Sequence, residues 1–189
     1  MTLDLLERVK TSIRSRQRGI QFKSGERMRP EDDRPFPEDG RQSERARAIS
    51  RGTQRALAVR GLRAIPELSL ADGRRADLAA IDEQGNIWIV EIKSSLEDFR
   101  ADAKWWDYRA WCDRLFFAVA PDFPVHVLPE ETGLILADRY NGEIIREAPE
   151  HRLPGPRRKA MMLRFSRVAA GRLMTMADPE AGYEPLPRA

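Results

Sequence analysis

The chain has 189 residues, 33% charged and 41% apolar, with a net charge of +3, which is enough for one domain with a real core plus tails. A single cysteine, Cys112, excludes an internal disulfide and a cysteine-based zinc site, and it fits a reducing compartment. No apolar run reaches the roughly 20 residues of a membrane helix, and the N-terminus lacks the apolar core of a secretory signal, so a cytoplasmic protein with no membrane partner is expected.

Residues 1–42 differ from the rest. "LDLLERVKTSI" places Leu5, Leu6, Val9 and Ile13 at helical spacing. Arg8 to Arg29 then holds eight basic residues and one acid, and "PEDDRPFPEDG" follows with three prolines and five acids. This composition predicts a mobile basic arm and a linker, with the basic run either touching phosphates or simply solvated.

The folded domain is expected over 43–176. Ser43 is a good N-cap, and "SERARAISRGTQRALAVRG" puts Ala46, Ile49, Thr53, Ala56 and Leu57 on one helical face, ending near Gly61. Three strands follow over 62–70, 74–82 and 86–94. The loops "ADG" and "EQG" between them are short and contain glycine, so both read as hairpins. Ser95, with Asp98 three residues on, starts a predicted helix "LEDFRADAKWWDYRAWC" with Phe99, Ala103, Trp106 and Ala110 inward. "RLFFAVA" is a fourth strand that can pair in parallel with the third through this crossover. "LILADRY" and "EIIREA" flank an Asn-Gly turn. A last helix over 156–176 is expected to turn Met162, Phe165, Ala169 and Leu173 inward and Arg157, Arg164 and Arg167 outward. The tail from Ala177 reads as disordered. The fold class is α/β: a mixed sheet, with an antiparallel three-strand meander plus a crossover strand, flanked by helices.

One stretch breaks the core pattern. "GRRADLAAIDEQGNIWIVEIKSS" ends an apolar strand in Glu91 and Lys93 and carries Asp77 in the strand before it. A hairpin loop over 71–73 sets Glu67 opposite Asp77, and a loop over 83–85 sets Asp77 opposite Glu91. Opposed residues share a sheet face, so the three acids can form one row, with Lys93 on the same face. A one-residue slip would break that row. Facing carboxylates need a proton or a cation, and oxygen ligands suit a hard ion such as Mg²⁺ or Mn²⁺. Such an ion, with Lys93 stabilising charge, makes up the parts of metal-assisted phosphodiester hydrolysis. The plainer alternative is an exposed sheet face with a Glu91–Lys93 ion pair.

Asp77 followed by Glu91-x-Lys93 on the next strand resembles the PD-(D/E)XK nuclease superfamily, the restriction-endonuclease-like fold. More closely, "PELSLADGRRADL", "IWIVEIKSSLEDFRADAKWW", "CDRLFFAV" and "GLILADRY…EIIREAPEHRL" resemble the MmcB family of bacterial DNA-repair proteins. The resemblance runs from about Ser43 to the last helix. It implies a nuclease-like core with Asp77 and Glu91 as metal ligands and Lys93 as the catalytic lysine. The proline of the superfamily motif is Ala76 here. A fourth group is Glu67 by hairpin geometry or Glu44 by its place on the first helix.

Candidate DNA contacts are Arg74, Arg75, Ser95, Lys104 and Trp105. Each has a plainer role: Arg74 and Arg75 as neutralisers of the acids, Ser95 as a helix cap, Lys104 as a solvated lysine, Trp105 as packing at a helix edge. Cys112 reads as a buried small residue, and His126 and His151 as structural or exposed. The expected partner is DNA, whether damaged, branched or single-stranded, with a homodimer or a repair-protein partner left open. The leading expectation is a metal-dependent DNA endonuclease of repair. The alternative is a noncatalytic DNA-binding or scaffolding module, and a third reading is an adaptor recruited through Leu5–Ile13.

Overall fold

The Ser43 hydroxyl accepts from the Ala46 amide at 3.1 Å, and this cap opens helix α1, Glu44–Val59. In the computed structural model, the described residues are Glu7, Lys10, Thr11, 43–102 and 104–182. The chain divides into two compact units, Met1–Gln42 and Ser43–Ala189. Of the first, only a local Lys10–Glu7 ion pair at 3.1 Å and a hydroxyl bond from Thr11 to the Glu7 carbonyl are described. The helix expected over Leu5–Ile13 otherwise lies outside the described residues, as do the basic run, the proline/acid segment and residues 183–189.

α1 buries Ile49, Gly52, Thr53, Ala56 and Leu57; of the predicted face only Ala46 is partly rather than fully buried, and Gly52 is added. Gly52 is there for a close approach: a Cβ would lie 2.1 Å from the carbonyl oxygen of Asp138, in the turn that holds Asn141. The chain leaves the helix through Gly61 at φ +82°.

The strands are β1 Arg63–Ser69, β2 Arg75–Ile81, β3 Ile87–Lys93, β4 Arg114–Val119, β5 Gly133–Ala137 and β6 Gly142–Arg146. They form one six-stranded sheet in sequence order. β1–β2 and β2–β3 are antiparallel hairpins, β3–β4 and β4–β5 are parallel, and β5–β6 is antiparallel. Both hairpin registers are the predicted ones: Pro66 pairs with Leu78, and Leu78 with Val90. β3 is buried on both faces, which is why it reads as a continuous apolar run.

Alternation along β3 divides the core. Trp88, Val90 and Ile92 face α1, with Ile49, Leu57, Phe116 and Ile135. Ile87 and Ile89 face the other side, with Tyr108, Cys112, Leu115, Leu153 and Met161. Cys112 is buried, as expected.

The crossover differs from its prediction. A short helix α2, Leu96–Ala101, ends at Asp102, and a 3-10 turn, Trp105–Trp111, follows. Three residues per turn align Trp105, Tyr108 and Trp111 against the second core cluster. A 3.6-residue period predicts Trp106 inward, but it is 52% exposed. Ala103, assigned to the same stripe, lies outside the described residues.

The final helix α3, Gly155–Ala177, is also rotated from its prediction. It packs through Met161, Phe165 and Val168, while Met162 and Leu173 are exposed. Arg164 is half-buried and donates to the Ser69 carbonyl. Its N-terminal end is held by Arg158, which makes two bonds to buried Asp113 at 2.8 and 2.6 Å. The same carboxylate accepts from the amides of Ile87 and Leu153 at 2.7 and 2.9 Å. A 3-10 turn over Pro179–Ala181 follows the helix. Among the described residues no helix is long and apolar enough to cross a membrane.

Candidate active site

The β2–β3 backbone ladder stops at Leu78–Val90. Beyond it, side chains take over the backbone donors. The Ile92 amide donates to Asp77 Oδ2 at 2.8 Å, and the Asp77 amide donates to Glu91 Oε1 at 3.3 Å. The strands therefore part at the level of Asp77, with a carboxylate from each side filling the gap.

The other side of β2 opens at the same level. The β1–β2 pairs run through Pro66–Leu78 and resume at Leu68–Ala76, so the Glu67–Asp77 pair is missing. Glu67 has φ +50°, the only non-glycine positive φ among the described residues. Ile65 and Leu68 both pack on the second cluster, as do Ala76 and Ala79, so both strands shift phase here. Strict period-two alternation does not extend through Glu67. Its carboxylate lies 3.6 Å from Arg75. Its carbonyl and that of Pro66 accept from Arg172 of α3 at 3.2 and 2.6 Å.

Glu91 and Lys93 are only 3% and 5% exposed. Lys93 Nζ lies 2.6 Å from Asp102 Oδ2 and 3.9 Å from Glu91 Oε2. The phenol of Tyr108, buried beside these groups, donates to the Arg75 carbonyl at 3.2 Å. Asp98 accepts from the amide and hydroxyl of Ser94 at 2.9 and 3.0 Å.

The electrostatics follow from crowding acids in a dry place. Burial, then the charge of Asp77, pushes the Glu91 carboxyl well above the usual carboxylate range. Burial likewise raises Asp77, against the opposing pull of the Ile92 amide and Lys93. Burial acts to discharge Lys93, but the Asp102 hydrogen bond and the surrounding carboxylates hold its ammonium above the usual lysine range. Burial and the same carboxylates push the Tyr108 phenol up.

Asp77, Glu91 and Lys93 are thus brought together as the hairpin geometry predicts. Among the described residues no group of three or more His, Cys, Asp or Glu is placed to hold a metal ion. Glu44 is exposed in the first turn of α1. Its neighbour Arg45 pairs with Asp122 in the loop after β4. Since Lys93 lies beside Val119 at the end of β4, this brings the start of α1 to the sheet edge that carries the site.

Arg74 is paired with Asp72 at 3.0 Å and with Asp107. Ser95 caps α2, its hydroxyl accepting from the Asp98 amide at 3.1 Å. Lys104 is exposed, and its amide donates to Asp102 Oδ1 at 3.3 Å. Trp105 is half-buried, edge-on to Phe117 with ring centroids 5.8 Å apart. Asp102 and Tyr108 were not anticipated as site residues. Both sit inside a stretch whose charges and aromatics read as one amphipathic helix, and only the helix break brings Asp102 to Lys93 and Tyr108 to the Arg75 carbonyl beside the acids.

Residues 33–180 match the MmcB-like family, described as DNA repair protein MmcB-like. Among solved structures, the SPO1766 protein of unknown function from Silicibacter pomeroyi is similar. It is 42% identical, with a TM-score of 0.72, and the match covers 75% of this chain and 97% of that one. No curated protein matches. The family match spans the whole meander, the paired acids and the crossover that brings Asp102 to Lys93. This chain belongs to the MmcB-like family of DNA repair proteins.

Proposed function

We propose that this DNA-repair protein hydrolyses DNA phosphodiester bonds, with a divalent cation, at Asp77, Glu91 and Lys93. The observation that carries the reading is the pairing of Asp77 and Glu91 across parted strands, with the Lys93 ammonium 3.9 Å from Glu91. The reading is supported by the likeness of this arrangement to the PD-(D/E)XK pattern, in which an aspartate on one strand is followed by Glu-x-Lys on the next.

The donor set fits a hard cation. Each of the two carboxylates spends one oxygen on a backbone amide; burial raises the proton affinity of both, and the charge of Asp77 raises that of Glu91 further. Mg²⁺ is commonly held through one or two carboxylates, with water and substrate phosphate completing its shell. Asp77 and Glu91 would hold Mg²⁺ or Mn²⁺, and Glu67 and Glu44 are the candidates for a further carboxylate. Bound there, the ion supplies Lewis acidity toward a phosphodiester oxygen and acidifies water. Lys93, kept charged by its neighbours, stabilises negative charge developing on the phosphate. Asp102 fixes the direction of that ammonium. Arg75 and exposed Lys104 flank the site and contact DNA phosphates, with Arg74, Ser95 and Trp105 as neighbours of that surface.

A noncatalytic DNA-binding role is the second reading, favoured by the near-complete burial of Glu91 and Lys93. Incubation with Mg²⁺ or Mn²⁺ on nicked, flapped, branched and single-stranded DNA separates the two. The endonuclease reading predicts cleavage that falls by about 100-fold or more in Asp77→Ala and Lys93→Ala. Cleavage unchanged in both variants would overturn the assignment. Salt-dependent binding without cleavage, insensitive to both substitutions, would establish the second reading.

A further inference from the structure

The two sides of α3 are both apolar, and only one of them is used by the domain. Met161, Phe165 and Val168 pack inward. On the outer side Met162, Leu163, Leu173 and Met174 are 38%, 56%, 66% and 47% exposed, and Met176 adds 54%. These are five of the eight exposed large hydrophobic residues among the described residues, and they share one helix. Their spacing, with Ser166 and Ala170 between, repeats at three and four residues, so they form a continuous stripe. At its N-terminal end Gly155, Arg158, Lys159, Met162, Leu163 and Ser166 border a shallow, open depression.

Charge decides what fits on this stripe. α3 contains six basic residues and no acidic one. Arg158, Arg164 and Arg172 turn inward to Asp113 and to strand carbonyls. Lys159 and Arg167 are exposed and border the stripe. A second copy of α3 would set like charges against Lys159 and Arg167, whereas acids spaced along a partner helix would pair with both while its apolar face covers the stripe. The complementary surface is apolar at helical spacing with acids along its edges.

We infer that the outer face of α3 is a docking surface for an acidic amphipathic helix of a partner protein. The inference is independent of the nuclease reading, since no residue of the Asp77–Glu91–Lys93 site takes part.

The test uses the full chain and a fluorescent synthetic acidic helix with leucines at i, i+3, i+4 and i+7. Its composition-matched scramble and a version with lysine for glutamate serve as controls. The acidic helix is expected to bind, with about tenfold or greater weakening in Leu163→Glu/Leu173→Glu. Because these side chains are exposed, the melting temperature should stay unchanged. Lys159→Glu/Arg167→Glu is expected to reverse the preference toward the lysine peptide, and it tests the proposal even if the first variant misfolds. Equal binding of the scramble overturns the inference. So does a wild-type dimer that Leu163→Glu/Leu173→Glu dissociates in sedimentation, which would assign the face to a second copy. Binding of anionic phospholipid vesicles through the same residues, with none of the peptide, overturns it in favour of a lipid surface.

Discussion

Burial and the charge of Asp77 make Glu91 a reluctant anion. A carboxyl with a raised folded-state pKa holds its proton more tightly in the native protein than in the unfolded chain. Its contribution to stability is full below the ordinary carboxylate range and is lost as pH rises through the raised value. Glu91→Gln keeps the acceptor for the Asp77 amide and removes the titration. The variant should therefore melt above the wild type at pH 7 without metal, by about 2–4 °C for each kcal/mol relieved. The gap should close toward about pH 4, near the unperturbed carboxylate range. A gap that is constant across this range would show that Glu91 ionisation carries no strain. At this scale Asp77, Glu91 and Lys93 were legible, because period-two alternation and hairpin loop length place them without further information. Glu67 was legible in register but not in conformation, since no residue pattern announces its positive φ. Asp102 was not legible, because its role depends on a helix that stops one residue earlier.

The helices expose the limits of periodicity more than the strands do. The crossover's apolar spacing suits 3.6 residues per turn, whereas Trp105, Tyr108 and Trp111 pack at three. In α3 two apolar stripes compete, and spacing alone does not say which faces the sheet. Arginines break the tie: Arg158 reaches Asp113, while Arg164 and Arg172 reach carbonyls of β1. Asp113 is the hub of that contact. It ties the start of β3, the segment before α3 and α3 itself to the base of β4. Arg158 and the two amides hold its carboxyl below the usual range despite its burial. Asp113→Ala would strand a guanidinium and two amides, a loss of about 3–5 kcal/mol. Chemical denaturation should show the midpoint fall without a change in slope. A loss below about 1 kcal/mol, the size of an exposed ion pair, would mean that the network contributes little.

Across the whole domain, the six-stranded mixed sheet puts the parted β2–β3 ends, the end of β4 and the start of α1 at one edge. Hairpin loops and the helical crossover made strands β1–β4 legible, and the Asn-Gly turn gave β5–β6. The closure of the site by Asp102 and Tyr108 needed the three-dimensional packing. The central claim is that Asp77 and Glu91 form a cation site beside Lys93. Crystals equilibrated with Mn²⁺ test it most directly, through anomalous diffraction. The account predicts a peak between the two carboxylates that disappears in Asp77→Ala. No peak at saturating Mn²⁺, with Lys93 still bound to Asp102, would contradict it.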